Sequence, residues 1–214
     1  MSKTNKQEID FEEVAAQLRK PEGEFGKIVA QKMNEGNKII TELTYNSVSK
    51  YPCAIVLEIG FGNGFFIPEL LKNGHKKVCG IDYSDLMLAE ANENLIHFII
   101  EKKVELKWAA ADAIPYPENY FDKICSVNTI YFWDEPLKVI SEIKRVLQPG
   151  GIVSVGYRSK TRMQDLEFAK YDFKMYEIKD VENLFVKNGF ELLETIVVDE
   201  EIYDAVCTTF KKGG

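Results

Sequence analysis

A carboxylate and three alternating glycines are the residues of this chain whose types and spacing best suit ligand binding. Glu58 follows an apolar run, and Gly60, Gly62 and Gly64 come after it. Glycines let the backbone turn sharply and let a ligand come close, because no Cβ stands in the way. Dinucleotide-binding proteins typically carry G-x-G-x-x-G, and here Phe65 stands where the last glycine would fall. The acid and the altered spacing favour a positively charged ligand over a pyrophosphate.

Polar residues also follow the next three strand-like runs. Asp82 ends the second run, where a carboxylate can accept hydrogen bonds from both hydroxyls of a ribose. Asp112 follows the third run, and Asn128 ends the fourth. Open parallel sheets bind ligands beyond the carboxyl ends of their strands, so we expect these side chains to line one cleft. Tyr83 could face an adenine ring there or lie exposed at the rim.

The elements that position these residues follow from the hydrophobic periodicity. Short apolar runs alternate with longer amphipathic segments, which predicts a doubly wound parallel sheet. Strands are predicted near residues 53–60, 77–82, 104–110, 121–128 and 151–157. Helices are predicted near 9–18, 28–48, 64–73, 85–102, 135–147 and 179–188. The last two apolar runs, 190–198 and 203–210, are so close that they must form an antiparallel hairpin.

These motifs, in this order, resemble the class I S-adenosylmethionine (SAM)-dependent methyltransferases. The segment from Glu58 to Gly64 is similar to their first motif, and Asp112-Ala-Ile-Pro-Tyr is similar to their adenine-binding segment. The resemblance is greatest to the small-molecule, type 11-like branch. It implies an α/β fold: a Rossmann-like, doubly wound, seven-stranded sheet, mostly parallel with an antiparallel C-terminal hairpin and helices on both faces.

The resemblance also implies a cofactor and the residues that bind it. SAM is the expected cofactor and S-adenosylhomocysteine (SAH) the expected product. By position, Asp82 would bind the ribose, and Asp112 with the backbone of Ala113 would bind the adenine. The expected cofactor-binding residues are Glu58, Gly60, Phe61, Gly62, Asn63, Gly64, Asp82, Tyr83, Asp112, Ala113 and Asn128. No metal site is expected.

Candidate catalytic residues follow the fourth predicted strand. A SAM methyl group is already activated, so the protein has mainly to align donor and acceptor and to exclude water. Tyr131, with Phe132 and Trp133, is expected to form an aromatic wall beside the methyl group. Asp134 is the candidate that orients or deprotonates the acceptor, although an acid here is also an ordinary helix start.

The flanks of the resemblance are expected to shape the acceptor site. Residues 1–50 are predicted to form an N-terminal helical cap segment, and residues 51–214 a single methyltransferase domain. The cap either covers the cofactor or simply packs on the sheet. After the fifth strand, Arg158, Lys160 and Arg162 are either partners of an acceptor carboxylate or phosphate, or parts of a solvated loop.

Composition limits the partners. The 214 residues carry a formal charge of −7 and are 45% apolar, which suits one domain with a full core. An acidic chain without a cluster of basic residues is a poor partner for phosphates, so no nucleic acid is expected. The expected partner is a small-molecule methyl acceptor. No apolar run approaches the roughly 20 residues that span a bilayer, and the polar N-terminus lacks a signal sequence, so a cytoplasmic location is expected.

The sequence therefore predicts a SAM-dependent methyltransferase that acts on a small molecule by direct in-line transfer. A non-catalytic SAM-binding or regulatory module is one alternative, because an intact cofactor site does not establish turnover. An NAD-dependent oxidoreductase is another, and the glycine spacing and the segment at Asp112 disfavour it.

Overall fold

The computed structural model describes residues 9–51, 54–201 and 203–213. Its strands are β1 (Ile55–Ile59), β2 (Lys77–Asp82), β3 (Val104–Trp108), β4 (Phe121–Val127), β5 (Leu147–Tyr157), β6 (Phe190–Asp199) and β7 (Asp204–Lys212). They form a seven-stranded sheet in the order β3-β2-β1-β4-β5-β7-β6. Strands β1 to β5 pair in parallel, whereas β7 lies antiparallel to both β5 and β6. The predicted sheet and its C-terminal hairpin are confirmed.

Helices cover both faces of this sheet. They are α1 (Phe11–Arg19), α2 (Gly23–Gly36), α3 (Lys38–Ser49), α4 (Ile67–Lys72), α5 (Asp85–Asn94), α6 (Ile96–Ile100), α7 (Pro136–Val146), α8 (Lys160–Met163) and α9 (Ile178–Val186). Alternate residues of β1 point to opposite faces, as strand geometry requires. Leu57 packs in the core cluster that contains α7 and α9, and Val56 packs in the cluster that contains α3, α4 and α5.

Two helices predicted as continuous are each broken in two. The helix predicted over 28–48 breaks at Asn37, which lies between α2 and α3 with φ −100° and ψ 2°. Gly36 and Asn37 are both weak helix formers, which accounts for the break. The helix predicted over 85–102 ends at Asn94 and resumes at Ile96. The chain changes direction at Asn37, and this residue lines the candidate site described below.

The third helix belongs to the packed sheet although it falls within the predicted cap segment. Its Tyr45 and Val48 are buried in the core, and Thr44 lies against Gly156 of β5. A Cβ on Gly156 would overlap the Thr44 hydroxyl, so a glycine is required for this close approach. The first eight residues of the cap and Cys53, where the first strand was predicted to begin, lie outside the described residues.

The strand order places a crevice between β1 and β4. Sequential connections run to one side of β1 as far as β3 and then return to β4, and ligands bind at such switch points in open α/β sheets. The carboxyl ends of β1, β2 and β4 open toward the N-terminal helices α1 and α2. Within the described ranges, no helix is long and apolar enough to cross a membrane.

Candidate cofactor and acceptor site

The glycine turn after β1 is open at its centre and packed at its ends. Gly60, Gly62 and Gly64 have φ of 78°, 59° and 74°, which disfavours any residue with a Cβ. A Cβ on Gly60 would overlap Thr129, and one on Gly64 would lie 2.7 Å from the side chain of Leu95. A Cβ on Gly62 would meet no protein atom within 4 Å. The turn is thus held in place at both ends and leaves room for a ligand at Gly62.

Asp82 connects the end of β2 to this turn. Its Oδ2 accepts a hydrogen bond from the N–H of Gly62 at 2.9 Å, and its Oδ1 accepts one from the N–H of Ser84 at 2.9 Å. Burial raises the pKa of Asp82 to about 6, and these backbone donors oppose the rise. Each carboxylate oxygen has a second lone pair, so the predicted contact with a ribose stays compatible with the structure.

Glu58 is a buried acid with one unused oxygen. Its Oε1 accepts a hydrogen bond from the Tyr45 hydroxyl at 2.5 Å, whereas its Oε2 is buried without a partner among the described residues. Burial is the main cause that raises the pKa of Glu58 to about 7; the Tyr45 hydrogen bond opposes the rise, and the charge of nearby Asp82 adds to it. An orphaned buried carboxylate oxygen is costly unless a partner arrives. A positively charged group of a ligand, as SAM carries, would supply that partner.

The cofactor residues expected from the sequence meet in one cavity of about 280 Å³, with two exceptions. Those that line it are Glu58, Gly60, Phe61, Gly62, Asn63, Asp82, Tyr83, Asp112 and Asn128. Gly64 does not line it and acts through packing. Ala113 does not line it either, because it lies exposed and its N–H donates to the Ala110 carbonyl at 3.1 Å in a turn. The assignment of this N–H to an adenine ring stays a prediction, and in this geometry the N–H is engaged in the turn.

Two cavity residues have partners that the sequence did not suggest. Asp112 accepts a hydrogen bond from the Lys138 ammonium at 2.9 Å, which satisfies one of its oxygens. Tyr83 lies in the cavity wall and donates its hydroxyl to the carbonyl of Arg19, at the end of α1, at 2.7 Å. The wall of the cofactor cavity is thus tied to the first helix.

Tyr131 is a buried positioning residue in this structure. Its hydroxyl accepts a hydrogen bond from the N–H of Arg158 and has two acceptors for its own proton, the side-chain oxygen of Asn128 at 3.1 Å and the carbonyl of Arg158 at 3.3 Å. Burial raises its pKa well above the usual value for a phenol, so the group stays protonated at neutral pH. The predicted catalytic residue Tyr131 therefore serves as a hydrogen-bond donor in this geometry and has no basic form to offer.

Asp134 is held in an ion pair, which would have to break before Asp134 could act as a general base. Its two oxygens lie 2.7 and 2.8 Å from one guanidinium nitrogen of Arg19. The hydrogen bond from Arg19 holds the pKa of Asp134 below its usual range, and 76% of its side chain is exposed. A carboxylate with a lowered pKa is a poor proton acceptor. The contact instead joins α1 to the segment after β4, which agrees with the helix-start alternative for this acid.

A second cavity of about 790 Å³ adjoins the first. It is lined by α1, α2 and the segment after β5, including Met163, Leu166, Phe168 and Phe173. Sequence reasoning assigned no role to these four residues, because their mixed pattern matched no regular element. The residues that line both cavities are Leu18, Met33, Asn37, Asn128 and Phe132. Asn128 at the end of β4 therefore stands at the junction.

The cations after β5 are largely engaged within the protein. Arg158 is buried, and its guanidinium donates to Glu200, to the carbonyl of Asp204 and to the carbonyl of Gly36. These contacts hold the α2–α3 junction against β7, and Arg158 also lines the second cavity, so its role as a partner of an acceptor carboxylate or phosphate stays a prediction. Arg162 pairs with an exposed acid at 3.1 Å.

Comparison with known proteins identifies the family. The sequence model of the family described as "Methyltransferase domain" matches residues 57–155. The chain is 29% identical to the uncharacterized methyltransferase YdaC of Bacillus subtilis, over 82% of this chain and 93% of that protein. The fold matches a SAM-dependent methyltransferase from Aquifex aeolicus with a TM-score of 0.69 at 24% identity, over 85% of this chain and 96% of that one. Residues 57–155 therefore carry a methyltransferase domain, and the fold around them is that of the class I SAM-dependent methyltransferases.

Relatives of this methyltransferase differ in their acceptors. It is 35% identical to phosphatidylethanolamine N-methyltransferase of Cereibacter sphaeroides, over 47% of this chain and 48% of that protein. It is 30% identical to tRNA U34 carboxymethyltransferase of Nautilia profundicola, over 46% of this chain and 32% of that protein. The chain thus spans less than half the length of both relatives. The cofactor of the family is SAM, and the residues of the first cavity fit it through the glycine turn, Asp82 and the unused oxygen of Glu58.

Proposed function

We propose that this methyltransferase moves the methyl group of SAM to a small-molecule acceptor by direct in-line transfer. The observation that supports this most is the junction of the two cavities at Asn37, Asn128 and Phe132. Direct transfer requires donor and acceptor to approach from opposite sides of one point with water excluded. Two adjoining cavities, one of which carries the cofactor residues, offer that arrangement.

Each part of the first cavity has a task in binding SAM. We assign Glu58 to the positively charged part of the cofactor, because its free oxygen is buried and lacks a partner. Asp82 would hold the ribose while it keeps the glycine turn in place through Gly62. SAM supplies an activated methyl group when bound. The protein then has only to hold the acceptor at the junction, where Asn128 and Phe132 line both cavities.

A small molecule fits the acceptor site better than a nucleic acid. The second cavity is concave and its walls are mainly apolar and aromatic, which is typical of small-molecule sites. The formal charge of −7 opposes the approach of a phosphate backbone. Likeness to a tRNA-modifying enzyme covers less than half of this chain. We therefore extend the proposal to a small acceptor and not to tRNA.

Release of SAH in the presence of small-molecule pools tests this proposal. Purified protein is incubated with methyl-labelled SAM and pools of phenols, amines, thiols and carboxylic acids, and both SAH and labelled product are measured. We expect product from at least one pool and none from the Asp82→Ala variant. Asp85→Ala removes an exposed acid three residues further on and should retain activity. SAM binding with no product from any pool would favour the non-catalytic SAM-binding module, and product from tRNA alone would contradict the small-molecule proposal.

A further inference from the structure

A directed chain of hydrogen bonds ends at the junction of the two cavities in an unused donor. The N–H of Arg158 donates to the hydroxyl of Tyr131. That hydroxyl donates to the side-chain oxygen of Asn128 at 3.1 Å, with the carbonyl of Arg158 as a second acceptor at 3.3 Å. The Nδ2 of Asn128 donates to the Oδ1 of Asn37 at 2.9 Å, so Asn37 uses its side-chain oxygen in this contact. The Nδ2 of Asn37 makes no hydrogen bond to any of the described residues.

The backbone holds Asn37 rigidly at this point. Its N–H donates to the carbonyl of Met33 at 2.8 Å, and its carbonyl accepts from the N–H of Thr41 at 2.9 Å. The preceding carbonyl, that of Gly36, accepts from the guanidinium of Arg158 at 2.7 Å. The side chain is partly buried and lines both cavities. The unused N–H groups of its amide therefore lie where SAM and the methyl acceptor would meet.

Among the described residues, no ionisable side chain lines both cavities. The residues that line both cavities are apolar, aromatic or amide: Leu18, Met33, Asn37, Asn128 and Phe132. The ionisable residues of the second cavity line that cavity alone; they are Asp10, Glu13, Lys32, Tyr131, Arg158 and Tyr203. Burial raises the pKa of the Tyr131 phenol. None of the described residues that line both cavities is therefore a base, which favours an acceptor atom that is already nucleophilic in the form in which it binds.

The free donor selects among nucleophiles of that kind. A neutral amine has one lone pair, and a hydrogen bond from Asn37 would occupy the pair needed to attack the methyl group. An ionised oxygen has further lone pairs and can accept from Asn37 while another pair faces the methyl group. A junction without ionisable groups also suits a reaction in which an anion and a cation neutralise each other, because opposite charges attract more strongly where polarity is low.

Aromatic rings make up much of the second cavity. They belong to Phe25, Tyr131, Phe132, Phe168, Phe173 and Tyr203. The rings of Phe132 and Phe173 pack edge-to-face, and their centroids lie 4.8 Å apart. Such walls favour a flat ring over a flexible polar chain. Building on the proposed methyl transfer, we propose that the acceptor is an aromatic molecule with an ionised oxygen, and that the Nδ2 of Asn37 donates a hydrogen bond to this oxygen.

The step balances without a proton transfer. An electron pair of the oxygen forms the new O–CH₃ bond, and the sulfur of SAM keeps the electron pair of the broken S–CH₃ bond. The oxygen loses its negative charge and the sulfur its positive charge, which gives an aryl ether and SAH. Nothing is oxidised or reduced, and no base is required. Asn37 keeps the oxygen at the junction until the bond forms.

Binding of two matched probes to the SAH-loaded protein tests this inference. The probes are 4-nitrophenolate, at a pH where it is ionised, and nitrobenzene, which has the same ring without the oxygen. Dissociation constants are measured by ligand-observed NMR. We expect 4-nitrophenolate to bind about threefold to tenfold more tightly than nitrobenzene, as one added hydrogen bond predicts. The preference should disappear in both Asn37→Leu and Asn37→Asp, each measured at a concentration of SAH that saturates the variant.

The variants separate a lost donor from other effects. Asn37→Leu removes the donor without adding charge, and Asn37→Asp keeps the acceptor for Asn128 while it removes the donor. Gln31→Glu adds the same charge on the exposed side of α2 and should keep the preference. An unchanged preference in Asn37→Leu, or its loss in Gln31→Glu, would overturn the role of Asn37 while the proposed methyl transfer stands. Failure of both probes to bind while SAH binds would overturn the aromatic acceptor, while the proposed methyl transfer to a small molecule would stand on the assay with the acceptor pools.

Discussion

Affinity for SAH should depend on pH through Glu58, because the carboxylate must be ionised to neutralise a positively charged ligand. Its pKa of about 7 means that the ionised fraction falls about tenfold between pH 8 and pH 6. Asp82, with a pKa of about 6, loses about half of its ionised form over the same range. The wild-type dissociation constant should therefore rise about twentyfold, and that of Glu58→Gln only about twofold.

Calorimetric titration with SAH at pH 6, 7 and 8 measures this effect. Any titration of SAH itself cancels when the variant is compared with the wild type. Tyr45→Phe removes the hydrogen bond that lowers the pKa of Glu58, so its transition should move to higher pH. Glu69→Gln removes an exposed acid of α4 and serves as the control. Its dissociation constant for SAH should rise about twentyfold between pH 8 and pH 6, as in the wild type. Equal pH dependence in Glu58→Gln and the wild type would refute the reasoning.

Three further predictions concern the same site. The ligand-free protein loses stability as pH rises from the ordinary glutamate value of 4.5 through about 7, because the folded state holds the Glu58 proton more tightly. Glu58→Gln should therefore raise the free energy of unfolding at pH 8 by roughly 3 kcal/mol and hardly change it at pH 4, as denaturant titrations would show; no gain at pH 8 would contradict the burial argument. Gly60→Ala should weaken SAH binding by roughly tenfold or more, because a Cβ would overlap Thr129 at φ 78°, whereas Gly74→Ala, at φ 91° with open space, should bind normally. Arg19→Ala and Asp134→Asn should each speed SAH dissociation about twofold to fivefold in stopped-flow measurements, because the pair joins α1 to the segment after β4 at the wall of the first cavity. The double variant should show no further gain, and additive effects would show that the two residues act separately.

The positions of residues at the ends of strands were predictable from the sequence. Glu58, Asp82 and Asn128 each end or follow an apolar run, and parallel strands bring such ends together at one edge. The glycine turn was predictable for the same reason, since its spacing permits few other conformations. The place of Ala113 outside the cavity was not predictable, because it depends on a turn within the segment that engages its N–H.

Contacts between distant helices could not be read from local patterns. The partner of Glu58 is Tyr45 on α3, and the partner of Asp134 is Arg19 on α1. Nothing in the spacing along the chain relates these pairs, because each depends on how the N-terminal helices pack on the finished sheet. The role of Asn37 depends on a helix break that the apolar periodicity did not reveal.

Calorimetric titration with SAM, SAH and NAD tests the central claim most directly. The account predicts that SAM and SAH bind in a one-to-one ratio, that NAD does not bind, and that Asp82→Ala loses both SAM and SAH. Binding of NAD in place of SAM, or an Asp82→Ala variant with wild-type affinity for SAM, would contradict the claim that the glycine turn, Glu58 and Asp82 form a SAM site.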